Sequence, residues 1–276
     1  MSQFALITGC GSGIGRALAL EFASRGVRTI ATARQPSALK ELAELHKNIV
    51  PMDVDVQESE SILALKKQVE QITGGHLHYL VNNAGIHYAS TGTDIDTAKV
   101  QELFNVNVVA VMSMVREFAP LLIAAKGVIV QIGSVTRAVP AIWQGPYNAT
   151  KAALSQYSKT LRLELEPFGV RVVEVVTGYV QSNILRNGLH APSDSRYLPI
   201  KDHIETLKAQ GNKTGMPAAT YARRVANQVT RANPPHEFWD GGGAWVMFLI
   251  VSVLPSWLSQ RIWRSYFKLD LLRARR

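Results

Sequence analysis

The sequence predicts an α/β fold in which a doubly wound parallel sheet carries helices on both faces. Two observations predict it. Short apolar runs of strand length alternate with helix-length amphipathic stretches from the first residues onward, and a glycine-rich turn joins the first run to the first such stretch. The length of 276 residues fits one large domain, and 47% hydrophobic composition supplies its core.

The strand-like runs are Phe4 to Thr8, Thr29 to Thr32, Ile49 to Met52, Leu77 to Val81, Val128 to Ile132 and Val170 to Val176. Continuous rather than alternating apolar residues mark strands buried on both faces, as parallel strands are. A long helix is predicted from about Gln101 to Ala124. Another runs from about Tyr147 to Glu166, stopped by Pro167 and Gly169. From Asn183 to Gly215 the alternation lapses into a segment with Gly188, Pro192, Pro199 and Gly211, longer than the usual connection and expected to be a lid. The expected division is one α/β domain over 1–240, containing this lid, and a C-terminal extension over 241–276.

The turn Thr8-Gly9-Cys10-Gly11-Ser12-Gly13-Ile14-Gly15-Arg16 follows a strand and opens a helix. Gly9, Gly13 and Gly15, with Ser12 and Ile14 between them, let the backbone approach a pyrophosphate at the helix N-terminus. This is the fingerprint of a Rossmann-type dinucleotide site. Enzymes that prefer a ribose without a 2′-phosphate place an acid at the end of the second strand. Here that strand ends Thr32-Ala33-Arg34, and the planar fork of Arg34, with Arg16 nearby, suits a 2′-phosphate, so the expected cofactor is NADPH/NADP+. Asp53 is expected on the adenine amine with Val54 against the ring. Asn82 and Ala84, in Asn82-Asn83-Ala84-Gly85, are expected beside a ribose. Without these strands before them, Arg34 would read as a solvated arginine and Asn82 to Gly85 as an ordinary turn.

Tyr147 and Lys151 are four residues apart, on one helical face. A lysine there is expected to lower the phenol pKa from about 10, making an acid and base workable near neutrality. Tyr197 and Lys201 repeat the spacing, but Pro199 stands between them and Ile184 occupies the position thirteen residues upstream. Thirteen residues before Tyr147, Ser134 ends a strand, where open α/β sheets place reacting groups; its hydroxyl suits a carbonyl oxygen. A further 27 residues upstream, Asn107 lies within the predicted helix and, facing the site, would hold a water that relays protons to Lys151.

Together, Thr8-Gly9 through Gly15, Asn82 to Gly85, Asn107, Ser134, Tyr147 and Lys151 resemble the short-chain dehydrogenase/reductase superfamily over about Phe4 to Ser182. The resemblance implies a sheet of about seven strands, a homodimer or homotetramer, and hydride transfer between nicotinamide and a carbonyl or alcohol. It also puts Asn107, Ser134, Tyr147 and Lys151 on the catalytic tetrad positions. Where many members have Pro-Gly after the sixth strand, this chain has Thr177-Gly178, which leaves the rigidity of the turn open. Val180 would still meet the carboxamide through its backbone, and Ser182 would reach the cofactor through its hydroxyl. The Thr-Ala-Arg ending, the Thr-Gly turn and the aromatic extension are similar to the fungal NADPH-dependent 1-acyldihydroxyacetone phosphate reductases. A lipid-like ketone of that kind is the leading expectation for substrate; Arg186, Arg196, Lys201, Lys208 and Lys213 of the lid would suit its phosphate, or else are ordinary solvated charges. The alternatives are a hydrophobic ketone or alcohol of steroid, retinoid or secondary metabolism and, from another class, a noncatalytic NADPH-binding regulator or scaffold.

The formal charge of +9 is concentrated near the C-terminus, where Arg261, Arg264, Lys268, Arg273, Arg275 and Arg276 face only Asp270. No zinc finger, RNA-binding signature or basic zipper accompanies them, so no nucleic-acid partner is expected. The seven histidines show no metal-ligand spacing, and no metal is expected. The apolar run Ala244 to Leu254 is too short for a spanning helix of about 20 residues. With Trp245, Trp257 and Trp263 it suits a lipid interface, on the endoplasmic reticulum or a lipid droplet, or else a cap on the substrate pocket or an oligomer contact. The lone Cys10 asks for no oxidising compartment, and Phe4 to Thr8 leaves no room for a secretory signal, so the cytosolic side is expected.

Overall fold

Strands that exchange hydrogen bonds on both edges and are covered on both faces need apolar side chains throughout. The runs singled out above become such strands in the computed structural model, which describes residues 3–35, 37–184 and 188–272. Arg186 of the expected lid and Arg273, Arg275 and Arg276 of the basic tail lie outside the described residues. The order along the chain begins β1 (Phe4–Ile7), α1 (Gly13–Ser24), β2 (Arg28–Ala33), α2 (Ser37–Leu45), β3 (Ile49–Asp53), α3 (Ser59–Thr73) and β4 (Tyr79–Asn82). It continues with α4 (Thr97–Phe104), a π turn (Asn105–Val109), α5 (Ala110–Ala125), β5 (Val128–Ile132), α6 (Gly145–Leu165) and β6 (Arg171–Thr177). The last elements are α7 (Leu198–Thr214), α8 (Ala218–Val229), β7 (Glu237–Asp240), α9 (Ala244–Val253) and α10 (Ser256–Tyr266).

The sheet is parallel throughout, in the order β3-β2-β1-β4-β5-β6-β7. The chain winds outward from β1 to β3, then crosses back to lay β4 against the other edge of β1. That reversal opens a crevice between the carboxyl ends of β1 and β4, where open α/β sheets bind ligands.

Successive side chains on a strand point to opposite faces, and the core divides accordingly. Ile7, Val81 and Val130 pack with Leu18, Phe22, Tyr221 and Val225 of α1 and α8 on one face. Leu6, Leu80 and Ile129 pack with Met114, Phe118 and Leu161 of α5 and α6 on the other. Each fully buried aromatic or branched side chain contributes about 1.5–3 kcal/mol, so these two layers hold the sheet against the entropy of the chain.

Two features differ from the expected organisation. The long segment after β6 is largely helix: α7 occupies Leu198–Thr214, with Pro199 in its first turn, where the missing N–H costs nothing. The seventh strand implied by the resemblance is Glu237–Asp240, whose polar ends gave no apolar run to announce it. Beyond it, the C-terminal extension does not stand apart. Trp263 and Phe267 join Trp143, Trp239, Ile200 and Ile204 in a third apolar cluster at the carboxyl end of the sheet.

Candidate active site

The turn after β1 is built for close approach. Gly9 has φ +74°, and a Cβ there would stand 2.9 Å from the Cα of Ala84; a Cβ on Gly15 would strike the Gly9 carbonyl. Asn83 locks this turn to the end of β4. Its Nδ2 donates to the carbonyls of Thr8 (2.8 Å) and Gly9 (3.2 Å), while the Thr8 hydroxyl accepts from the amides of Asn83 (3.1 Å) and Ala84 (3.0 Å). Ser12 precedes α1 in an extended conformation and makes no side-chain cap. The first amides of α1 are thus left for an anion.

A cavity of about 490 Å³ begins at this turn and runs across the carboxyl ends of the strands. Its wall takes in Gly9, Ser12, Gly13, Ile14, Gly15, Arg34, Val54, Ala84, Val180 and Ser182, as the sequence led one to expect. Three expected neighbours are outside it: Arg16, Asp53, exposed at the end of β3, and Asn82, buried at the end of β4. Their successors Asp55 and Asn83 are in the wall instead. The Thr177-Gly178 turn is held without proline. The Thr177 hydroxyl shares a 2.6 Å hydrogen bond with Tyr221, Gly178 N donates to Asp240 O (2.8 Å), and Tyr179 exchanges two backbone bonds with Gly242. Ser182 N donates to Asn212 of α7, which ties the cofactor side of the cavity to the lid. Cys10 is buried with its thiol pushed up to about 12, and acts as a small apolar residue.

The four tetrad positions converge at the middle of the cavity. Tyr147 and Lys151 rise from α6, whose first turn contains Pro146, and Ser134 ends the β5 turn. The Ser134 oxygen accepts from Thr136 N (3.2 Å) and Thr136 Oγ1 (3.0 Å), and the hydroxyl favours the ionised form of the neighbouring Tyr147 phenol. Two donors on the serine oxygen leave its own proton to point at the phenol or a substrate oxygen. Asn107 turns inward because the π turn adds a residue to the helical repeat at that point. Its Oδ1 accepts from Ile86 N (2.9 Å), and its Nδ2 donates to Ile86 O (3.0 Å) and Thr150 Oγ1 (3.2 Å). Asn107 therefore tethers the loop after β4 to α6, in addition to whatever water it holds. Tyr197 lies at the start of α7 with its ring against Trp143, and neither it nor Lys201 lines the cavity.

The electrostatics correct one expectation. Lys151 does not draw the phenol down; its ammonium lies 5.7 Å from the Tyr147 ring centroid and donates to Ile132 O at 2.9 Å. Burial pushes the Tyr147 phenol up to about 12, against the Ser134 hydrogen bond. Burial also lowers Lys151 to about 8, with the charge of Glu174 opposing.

Sequence reasoning missed His87 and Thr136. His87 packs edge-on against Tyr147 (4.9 Å between centroids), pairs with Gln144 at 3.1 Å, and is lowered by burial to about 4, so it is neutral near pH 7. A single histidine in a loop carries no periodic signal. Thr136, two residues after Ser134, was visible as a second hydroxyl. The outer cavity is apolar and aromatic, with Leu189, Ile204 and Leu207 from the lid segment and Met247, Trp263 and Phe267 from the extension. Of the five basic lid residues, Lys208 alone among those described reaches the wall.

A dinucleotide-accepting crevice joined to a buried Ser-Tyr-Lys group defines an oxidoreductase of the Rossmann class. The chain belongs to the short chain dehydrogenase family, whose pattern matches residues 3–191. It is 40% identical over 269 residues to the short-chain dehydrogenase fogD of Aspergillus ruber, covering 96% of this chain and 92% of that protein. It is also 40% identical over 209 residues to the NADPH-dependent 1-acyldihydroxyacetone phosphate reductase of Schizosaccharomyces pombe, covering 73% of this chain and 70% of that one. Among solved structures, a short-chain dehydrogenase from Streptomyces avermitilis superposes with a TM-score of 0.82 at 25% identity, covering 98% of this chain and 97% of the other.

The pH dependence of cofactor binding follows from Lys151. Its charged form is present below about 8 and lost above it, so affinity for a nicotinamide dinucleotide is expected to weaken as pH rises through 8. Lys151→Arg should remove that transition. Calorimetric titration from pH 6 to 9.5 measures both.

Proposed function

We propose that the chain reduces a hydrophobic ketone to a secondary alcohol with NADPH. The observation that carries this is the placement of the Ser134–Tyr147 pair at the junction of the glycine-lined crevice with the apolar chamber of Leu189, Ile204, Leu207, Trp263 and Phe267. The residues present fit the cofactor: Gly9, Gly13 and Gly15 line the crevice, the α1 amides are uncapped, and Arg34 in the same wall offers a planar cation suited to a 2′-phosphate. Asp55 also lines the wall, its Oδ1 accepting from Gln57 N at 3.0 Å.

When bound, the dinucleotide supplies the hydride. Ser134 donates a hydrogen bond to the ketone oxygen, and Tyr147, protonated across the working pH range because burial raises its pKa, gives that oxygen its proton. Lys151, which donates to Ile132 O at 2.9 Å, would hold the ribose of the cofactor. Asn107 keeps the loop after β4 and α6 in register, and the aromatic wall excludes water from the reacting carbon.

A second substrate reading, an acyl ketone bearing a phosphate, is favoured by Lys208 in the chamber wall and by the similarity to the Schizosaccharomyces pombe reductase. NADPH oxidation with 1-acyldihydroxyacetone phosphate, its dephosphorylated analogue and a bulky neutral ketone separates the two. The outward side of the extension leaves Trp245, Val246, Leu249, Val253 and Trp257 exposed, beside exposed Arg261, and supports contact with an anionic lipid surface.

Three outcomes are expected. Tyr147→Phe should lose nearly all turnover while binding NADPH as the wild type does; undiminished turnover would contradict the mechanism. Arg34→Ala should raise the KM for NADPH about tenfold or more, the scale of a lost charged hydrogen bond, and leave the KM for NADH unchanged. Leu249→Ser combined with Trp257→Ala should abolish flotation with anionic liposomes; if the wild-type protein does not float, the lipid contact is excluded.

A further inference from the structure

Beneath the tetrad, four polar residues stand in one cross-strand row. Asn82, Gln131, Glu174 and Glu237 are successive register partners on β4, β5, β6 and β7. The first three lie on the side of the sheet where Leu80, Ile129 and Val172 meet α5 and α6, and all three are buried. A carboxylate in such a place is costly unless paired, so the partners of Glu174 are informative.

One of its oxygens is clamped. Oε2 accepts from Arg137 (2.5 Å) and from the hydroxyl of Ser155 (2.9 Å), which sits on α6 one turn beyond Lys151. The other, Oε1, has no hydrogen-bond partner among the described residues and is directed at Gly133, where a Cβ would stand 2.9 Å from it. Gly133 follows Ile132, whose carbonyl accepts from Lys151 at 2.9 Å. The lysine ammonium and the unpaired carboxylate oxygen therefore converge on one peptide unit, Ile132–Gly133. A side chain at position 133 would crowd the carboxylate.

We propose that Glu174 is a positioning residue for Lys151: its clamped carboxylate holds the buried amine in the charged form that grips the cofactor ribose. This rests on the role given to Lys151 above. The other groups around the pair do not substitute for Glu174. Tyr147 on α6 stays protonated, while Asn82, Gln131 and Asn107 are neutral amides. Arg137 divides its guanidinium between Glu174 and Glu237 (2.7 Å). Arg162, near the end of α6, is tied to the carbonyls of Val172 and His236. Burial works against the lysine charge, and Glu174 is the group that opposes it; burial also raises Glu174 itself, and Arg137 and Ser155 are the groups that favour its ionised form.

The test follows the Lys151 side chain by NMR in cofactor-free protein carrying 13C-labelled lysine, with the resonance assigned through Lys151→Arg. Glu174→Gln keeps the shape of the side chain and removes its charge. The midpoint near pH 8 is expected to fall by about one pH unit, a tenfold change in the protonation equilibrium, and NADP+ affinity above pH 7 to fall with it while affinity at pH 6 is retained. An unmoved midpoint, or an equal loss of affinity at every pH, overturns the proposal. Because breaking a buried ion pair can unfold a protein, Glu174→Asp is the second variant. It withdraws the charge by one methylene and should shift the midpoint in the same direction by less; a midpoint at or above that of the wild type overturns the proposal. Turnover of Tyr147→Phe keeps the two claims apart. If that variant remains active, the catalytic reading fails whatever Lys151 does; if it is inactive and the midpoint in Glu174→Gln is unmoved, only the role of Glu174 fails.

Discussion

Everything in the site depends on how closely the ends of β1 and β4 can approach one another. The chain leaves β1 through a turn in which the Gly9 carbonyl lies against Gly15, and the Asn83 amide closes the gap to the next strand. A methyl group at Gly9 or Gly15 would push these segments apart. With them together, α1 presents uncapped amides to the crevice, and the carboxyl ends of β4, β5 and β6 meet around a single chamber. The sheet order makes this the switch point of the fold, so the same geometry that packs α1 against the sheet also creates the anion site.

The second constraint is burial of charge. Tyr147 and Lys151 are removed from water by the apolar wall around them, and burial drives both toward their neutral forms. For the phenol this is useful, since a proton donor must hold its proton. For the lysine it is a cost, offset by the Ile132 carbonyl and the buried Glu174. Under the role proposed for Glu174, the polar row across β4 to β7, otherwise expensive in a sheet interior, is connected to Lys151 through α6. Arg137 and Ser155 fix its Glu174 member.

Much of this was legible in the sequence. Strands buried on both faces announce themselves as apolar runs, and the predicted Val128 to Ile132 coincides with β5. The glycine turn and the Tyr147–Lys151 spacing are local signals, and each depends on one turn of one helix. What was missed depends on tertiary context. The π turn that rotates Asn107 inward has no periodic signature, and α7 was obscured by Pro199 and Gly211, which sit in its first turn and against Tyr179. β7 is short and polar at its ends, and becomes a strand because β6 offers it an edge. The direction of the Tyr147 shift was misjudged because spacing places two residues on one face without saying where the lysine's hydrogen bond goes. The extension, read from composition as a choice between a lipid surface and a pocket cap, contributes Trp263 and Phe267 to the chamber and keeps a second apolar side exposed. The two roles need not compete.

The central claim is that the crevice at β1 and β4 and the Ser134–Tyr147–Lys151 group form one site around one dinucleotide. A crystal structure of the protein with NADP+ tests it most directly. The account predicts the pyrophosphate at the α1 amides, the 2′-phosphate at Arg34, and the nicotinamide ribose held by Tyr147 and Lys151, with the Lys151 bond to Ile132 O relinquished. A dinucleotide bound elsewhere, or one that leaves Lys151 on Ile132 O without touching the ribose, would contradict it.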